Sequence, residues 1–175
     1  MPLDIRDARP EDAQGIIAVL NPIIEARTYT ALDTPCSADA ERDYIRDFPT
    51  RGVFLVAVNR TDQAIVGFQS MEPFATYTHA FDHVGVLGTY VDLRCRRLGI
   101  ATRLFEATFA AAIQKGYEKI FTFVRSDNAA ALATYLAQGF RTVGTARNHA
   151  KIDGEYVDEI IIEKFLTSDP RSAGP

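Results

Sequence analysis

Residues 3–8, Leu3-Asp4-Ile5-Arg6-Asp7-Ala8, alternate apolar and polar and predict a first strand. Pro10-Glu11-Asp12 then opens a helix, with proline and acids in its first turn. The apolar stripe of that helix is Ala13, Ile16, Ile17, Leu20, Ile23 and Ile24, at helical period. Pro22 falls inside the stripe and predicts a kink or a restart, with Asn21 as the new cap. Residues 28–35 read as a loop. Ser37 caps a second helix that runs to about Phe48 and buries Tyr44, Ile45 and Phe48. Residues 53–58 are an unbroken apolar run, the mark of a buried strand. The polar turn 59–63 leads into a strand from Ala64 to about Phe74, which completes a hairpin.

A polar and aromatic stretch, 75–83, precedes another apolar strand over 84–93. After the basic loop 94–99 comes an amphipathic helix, 100–115. Ile100, Leu104, Phe105, Thr108, Ala111 and Ala112 share one side of it, and Gly116 ends it. A strand over 119–124 and a short helix over 128–138 follow, the latter stopped by Gly139. Two last strands, 140–151 and 156–165, join through Asp153-Gly154, a hairpin turn pair. The order β-α-α-β-β-β-α-β-α-β-β predicts an α/β (α+β) fold. It calls for a mixed, largely antiparallel sheet of about seven strands, with about four helices on both faces.

Composition narrows the function. The 175 residues fit a single domain, expected over 1–166, with a Ser-, Pro- and Gly-rich flexible tail over 167–175. At 47% hydrophobic, the chain can build a core without disulfides or metals. The net charge of -4 argues against a nucleic-acid partner. No apolar run approaches the ~20 residues of a membrane span, and the first residues lack the layout of a signal peptide. Cys36 and Cys95 form no CxxC pair, and no zinc-ligand spacing surrounds them. A reducing, cytoplasmic setting and no metal are expected. There is no internal repeat.

The most informative segment runs from Tyr90 through Thr102: a buried strand enters a basic turn, and the turn opens a helix. A helix start leaves main-chain N–H groups unpaired and carries partial positive charge, so it can receive a diphosphate. Gly99 lets the backbone approach, Ala101 keeps that approach clear, and Arg94, Arg96 and Arg97 add forked donors. Taken alone, the same residues equally make a plain strand–turn–helix joint. A Walker loop would end Gly-Lys-Ser or Gly-Lys-Thr and a dinucleotide fingerprint needs three glycines; neither pattern is here.

Arg96-Arg97-Leu98-Gly99-Ile100-Ala101 resembles the Arg/Gln-x-x-Gly-x-Gly/Ala signature of the GNAT acetyltransferases. Asn128, Tyr135 and Gly139-Phe140 resemble that family's second motif, and the element order matches over almost the whole chain. Asn21-Pro22-Ile23-Ile24-Glu25 and Gly154-Glu155-Tyr156-Val157-Asp158 resemble the phosphinothricin and amino-acid N-acetyltransferase branch. The resemblance implies a GNAT-like fold and an enzyme that moves acetyl from acetyl-CoA to a small primary amine by direct attack, often as a homodimer. It implies main-chain contacts from Thr89, Tyr90 and Val91 to the pantetheine arm and thioester. It gives the diphosphate to the loop Arg96, Arg97, Leu98, Gly99, Ile100, Ala101 and Thr102. It also implies a side-chain contact from Asn128 to the cofactor arm and makes Tyr135 the general acid. From the residues alone, Asn128 is also a helix cap and Tyr135 also a core tyrosine. An ordinary tyrosine at ~10 cannot readily protonate a thiolate whose thiol is near ~8.5, so Tyr135 is expected to stabilise the sulfur by hydrogen bonding.

The family's usual carboxylates are missing. Val84-Gly85-Val86-Leu87-Gly88 holds none, and Phe123 occupies the other common acidic position. Glu72, His79, Asp82 and His83 are the near candidates for general base, with His83 preferred, and Asp158 and Glu159 are further options. A site without a carboxylate suits an α-amino acceptor, whose deprotonation at pH 7 costs only ~1.4 kcal/mol, against ~4.6 for a lysine-type amine. Residues Tyr29, Thr30 and Asp33 and the stretch 74–81 are expected walls of the acceptor site. Arg27, Arg147 or His149 could take a substrate carboxylate, and Cys95 reads as a filler in the loop. Other acceptors open to the sequence are a protein N-terminus, a polyamine or an antibiotic. A non-catalytic acyl-CoA-binding domain is the reading from another class.

Overall fold

A computed structural model describes residues 1–167, so all but the first residue of the expected tail lies outside the described residues. The elements follow the expected order: β1 (Leu3–Asp7), α1 (Ala13–Glu25), α2 (Ala38–Arg46), β2 (Val53–Asn59), β3 (Ile65–Pro73), β4 (Val84–Val91), α3 (Ile100–Gln114), β5 (Lys119–Arg125), α4 (Ala129–Ala137), β6 (Arg141–Ile152) and β7 (Glu155–Phe165). They build one seven-stranded sheet in the order β1-β2-β3-β4-β5-β7-β6. Every pairing is antiparallel except β4 with β5.

Two apolar clusters flank the sheet. On one face α1 and α2 cover Phe54, Val56, Val58 and Phe68. On the other, Ile100, Leu104 and Phe105 of α3 and Tyr135 of α4 cover Leu55, Leu87, Ile120 and Ile162. The α3 stripe read from the sequence is buried at Ile100, Leu104, Phe105, Thr108 and Ala112. Gly67 on β3 sets how closely α3 docks: a Cβ there would lie 3.0 Å from Ile100 Cγ2 and 3.0 Å from the Tyr90 carbonyl oxygen. The first turn of α3 thus rests directly on the sheet beside the end of β4.

Several local expectations are corrected. Pro22 does not restart α1, which runs unbroken through it. It stands in the last turn, where only one helical hydrogen bond is forfeited. Asn21 does not cap; its amide pairs with the main chain of Cys36 in both directions, at 2.9 and 3.0 Å. Tyr44 is exposed, its hydroxyl donating to Glu72, and α2 ends before Phe48. β4 stops at Val91 because the Asp92 carboxylate accepts from Arg94 N at 2.9 Å and turns the chain.

β7 lies between β5 and β6, and its Glu163 is buried between Lys119 and Arg141. Burial pushes the Glu163 carboxyl up, but the hydrogen bonds from Lys119 and Arg141 outweigh it and hold it below its ordinary range. A folded-state value below the unfolded one gives stability that is present above the unfolded value and lost as pH falls through the folded one. Glu163→Gln should therefore lose about 1–3 kcal/mol at pH 7. The gap to the parent should narrow as pH falls below the ordinary carboxylate range, as read by urea unfolding at pH 7 and at acid pH.

Candidate active site

The site begins where β4 and β5 part. They pair only at Val84–Lys119 and Gly85–Ile120, although β4 continues to Val91 and β5 to Arg125. Strand main chain alternates its hydrogen-bonding direction residue by residue. Val84 O accepts from Phe74 N and Asp92 N donates to Val66 O, so the even-numbered residues face β3. Leu87 O instead accepts from Thr122 Oγ1 of β5 at 2.8 Å. By the same alternation, the N–H and C=O groups of Thr89 and Val91 point into the gap between the strands.

The helix start closes the upper end of this gap. Gly99 caps α3 in the left-handed region, φ 75°, and Arg97 is left-handed too, φ 62°. A Cβ at Gly99 would meet nothing within 4 Å, so its backbone angle, and no crowding within the chain, calls for glycine. For a non-glycine residue such as Arg97 the conformation costs on the order of 1–3 kcal/mol, and such strain gathers at functional sites. The first helical bond at this end runs from Arg103 N to Gly99 O at 3.1 Å, so the N–H groups of Ile100, Ala101 and Thr102 stand ahead of it. Arg96 lies over the Tyr29 ring, 3.9 Å from its centroid. Arg94 does not join them, because its guanidinium is held by both Asp92 carboxylate oxygens at 2.7 and 3.0 Å.

These groups line a cavity of about 450 Å³, which takes in Thr89, Tyr90, Val91, Arg96, Arg97, Gly99, Ile100, Ala101, Thr102, Asn128 and Tyr135. Leu98 is exposed and outside it. A smaller cavity of about 220 Å³ adjoins and shares Thr89, Tyr90, Asn128 and Tyr135. Its further walls include Thr122, Phe123, Arg125 and Glu159. Asn128 caps α4, its Oδ1 accepting from Ala131 N at 3.1 Å, while its Nδ2 donates to Tyr29 O at 3.2 Å. Tyr135 is buried among Phe105 and Phe140, with its hydroxyl 3.2 Å from Thr89 Oγ1. Burial pushes its phenol well up, only partly offset by the Thr89 hydrogen bond.

His83 is not brought to the cavities. It is exposed just before β4, six residues before Thr89, which at ~3.3 Å per residue is about 20 Å away. Glu72, His79 and Asp82 line neither cavity; Glu72 accepts from Tyr44, and His79 pairs with Asp82 at 3.0 Å. The sheet brings Glu159 in instead. It stands opposite Arg125 in the β5–β7 register, its side chain is 13% exposed, and His149 Nε2 lies 3.8 Å from its carboxylate. Glu159, one of the further options for the base, is thus the carboxylate in the smaller cavity's lining. Asp158 is taken up by the β6 bulge, accepting from Asn148 N at 2.7 Å.

A model of the acetyltransferase (GNAT) family matches residues 23–140. The chain belongs to that family. It is an acetyltransferase, and its family uses acetyl-CoA. The L-methionine sulfoximine/L-methionine sulfone acetyltransferase of Pseudomonas aeruginosa is 22% identical over 100% of both chains. The GNAT superfamily phosphinothricin acetyltransferase of Sinorhizobium meliloti, solved with acetyl-CoA, superposes with a TM-score of 0.87 at 18% identity, over 100% of this chain and 94% of that one. An N-acetyltransferase from Staphylococcus aureus superposes with a TM-score of 0.87 at 23% identity, over 95% and 100%. Among the described residues of this acetyltransferase no helix is long and apolar enough to cross a membrane, and no group of three or more His, Cys, Asp or Glu could hold a metal ion.

The segment after α1 lines the smaller cavity through residues 29–32 and the larger one through Tyr29, and Arg125 holds it. Its Nη1 donates to Arg27 O at 2.7 Å and Thr30 O at 3.0 Å, while Asp127 takes Nε and Nη2. Sequence reading named Tyr29 and Thr30 as walls but missed Arg125, because a strand arginine before a helix cap carries no motif. Lysine cannot reproduce this fork. Arg125→Lys should raise the acceptor KM about tenfold, with acetyl-CoA binding within twofold of the parent, read by steady-state kinetics and calorimetry.

Proposed function

We propose that this acetyltransferase moves acetyl from acetyl-CoA to a small primary amine of the amino-acid type, using residues 1–166 as one catalytic unit. The reading rests on one observation: the larger cavity, lined by a strand edge and a helix start, adjoins a small one with which it shares Thr89, Tyr90, Asn128 and Tyr135. The larger would take the pantetheine arm and diphosphate of acetyl-CoA. The N–H groups of residues 97–102 would hold the diphosphate, with Arg96 and Arg97 adding charge. Thr89, Tyr90 and Val91 would line the pantetheine arm, with Asn128 beside it. The Val91 N–H would face the thioester carbonyl, where a fixed donor stabilises developing negative charge. The co-substrate supplies the activated acetyl group.

The second cavity takes the acceptor. At about 220 Å³ it is below the ~300 Å³ at which drug-sized pockets begin, which favours a free amino acid or analogue over an aminoglycoside. Arg125 is paired with Asp127, and Glu159, with His149 Nε2 3.8 Å away, is the carboxylate of the cavity lining that would attract an ammonium group. The relatives named for methionine sulfone and phosphinothricin point to the same acceptor class. As the amine nitrogen bonds to the acetyl carbon, the carbon–sulfur pair leaves on sulfur. The amine proton departs by way of Glu159 or water, and the thiolate takes one from solvent. Tyr135, raised by burial, holds the sulfur charge by hydrogen bond and keeps its proton. The free thiols Cys36 and Cys95 fit work in the cytoplasm.

The test is CoA release with amino acids, methionine sulfone, phosphinothricin and diamines. Tyr135→Phe should lower kcat about 10²-fold with the acetyl-CoA KM unchanged. Glu159→Gln should act chiefly on the acceptor KM. Acetyl-CoA bound with no release for any amine would make the chain a binding domain. A Tyr135→Phe enzyme with full kcat would remove the tyrosine's role.

A further inference from the structure

A short polar thread reaches the Tyr135 hydroxyl from β3. Gln69 of β3 faces Thr89 across the β3–β4 register, and its Nε2 donates to Thr89 Oγ1 at 2.6 Å. Thr89 Oγ1 in turn lies 3.2 Å from the Tyr135 hydroxyl oxygen. Gln69 is 0% exposed, and its Oε1 has no partner among the described residues. An apolar side chain of the same length would fill this space without burying an unpaired oxygen. The amide therefore has its use in the N–H it presents.

A threonine hydroxyl has one hydrogen and two lone pairs. Gln69 occupies one lone pair, and the acceptor recorded within reach of the hydrogen is the Tyr135 oxygen. We infer that Gln69 and Thr89 are positioning residues: Gln69 orients the Thr89 hydroxyl toward Tyr135, so that the tyrosine accepts from Thr89 and aims its own hydrogen into the cavity. The inference rests on the role given to Tyr135 above. Without the amide, Thr89 is free to turn and accept from Tyr135, and the tyrosine hydrogen then points into the sheet, away from the departing sulfur. The same donated hydrogen bond counters the upward push of burial on the phenol. Donors arranged in series also strengthen one another. No covalent step is added; the thread fixes a direction.

The experiment is a double-mutant cycle on the full chain, with Gln69→Met and Tyr135→Phe alone and combined. Gln69→Met should lower kcat about three- to tenfold with acetyl-CoA and acceptor KM unchanged. In the Tyr135→Phe background it should lower kcat no further. Full kcat in Gln69→Met, while Tyr135→Phe is impaired, overturns the thread and leaves the tyrosine's role standing. Losses that multiply in the double variant also overturn it, because Gln69 would then act without Tyr135. Full kcat in Tyr135→Phe removes the tyrosine reading and this inference together. If Gln69→Met does not fold, Thr89→Val and Thr89→Ser replace it. Serine should recover most of the kcat that valine loses, and equal loss in both overturns the inference.

Discussion

β4 and β5 can pair for only two residues before they diverge, and the rest of the site follows from that divergence. A buried strand with one unpaired edge is costly unless something else takes up its N–H and C=O groups. Here Thr122 satisfies Leu87 from the far strand, while Thr89 and Val91 are left facing a cavity. The parallel β4–β5 connection must pass through α3, and Gly67 lets the first turn of that helix lie against the sheet. The result is a strand edge and a helix start that converge on one volume. Both offer N–H groups, and neither needs a charged side chain to attract an anion.

The opposite wall is built with equal economy. Arg125, Asn128 and Tyr29 tie the segment after α1 to the start of α4, so that this stretch of chain borders both cavities. The titratable groups divide by surroundings. Tyr135 is raised by burial among Phe105 and Phe140, which makes it a poor proton donor and a lasting hydrogen-bond donor. Arg125 is paired with Asp127, and Glu159 is the carboxylate in the small cavity's lining.

Much of this was legible in the sequence, for identifiable reasons. The helical stripe of α3 and the apolar run of β2 announce themselves by period, and the order of all eleven strands and α-helices follows. Gly99, Asn128 and Tyr135 were found because their spacing is that of a family motif. His83 was misread because closeness in sequence on a strand is distance in space: it stands at the wrong end of β4. Glu159 was named only as a further option because a terminal hairpin does not declare which of its strands goes inside. The structure inserts β7 between β5 and β6, and that insertion puts Glu159 beside Arg125. Pro22 was misjudged because its effect depends on how many helical turns remain after it.

The account depends on main-chain donors of the α3 start and of β4 receiving one extended ligand. A crystal structure of the protein with acetyl-CoA tests this directly. The account predicts the diphosphate against the N–H groups of residues 97–102 and the thioester carbonyl at the Val91 N–H, with sulfur beside the Tyr135 hydroxyl. A diphosphate bound elsewhere, or an arm that bypasses the gap between β4 and β5, would contradict it.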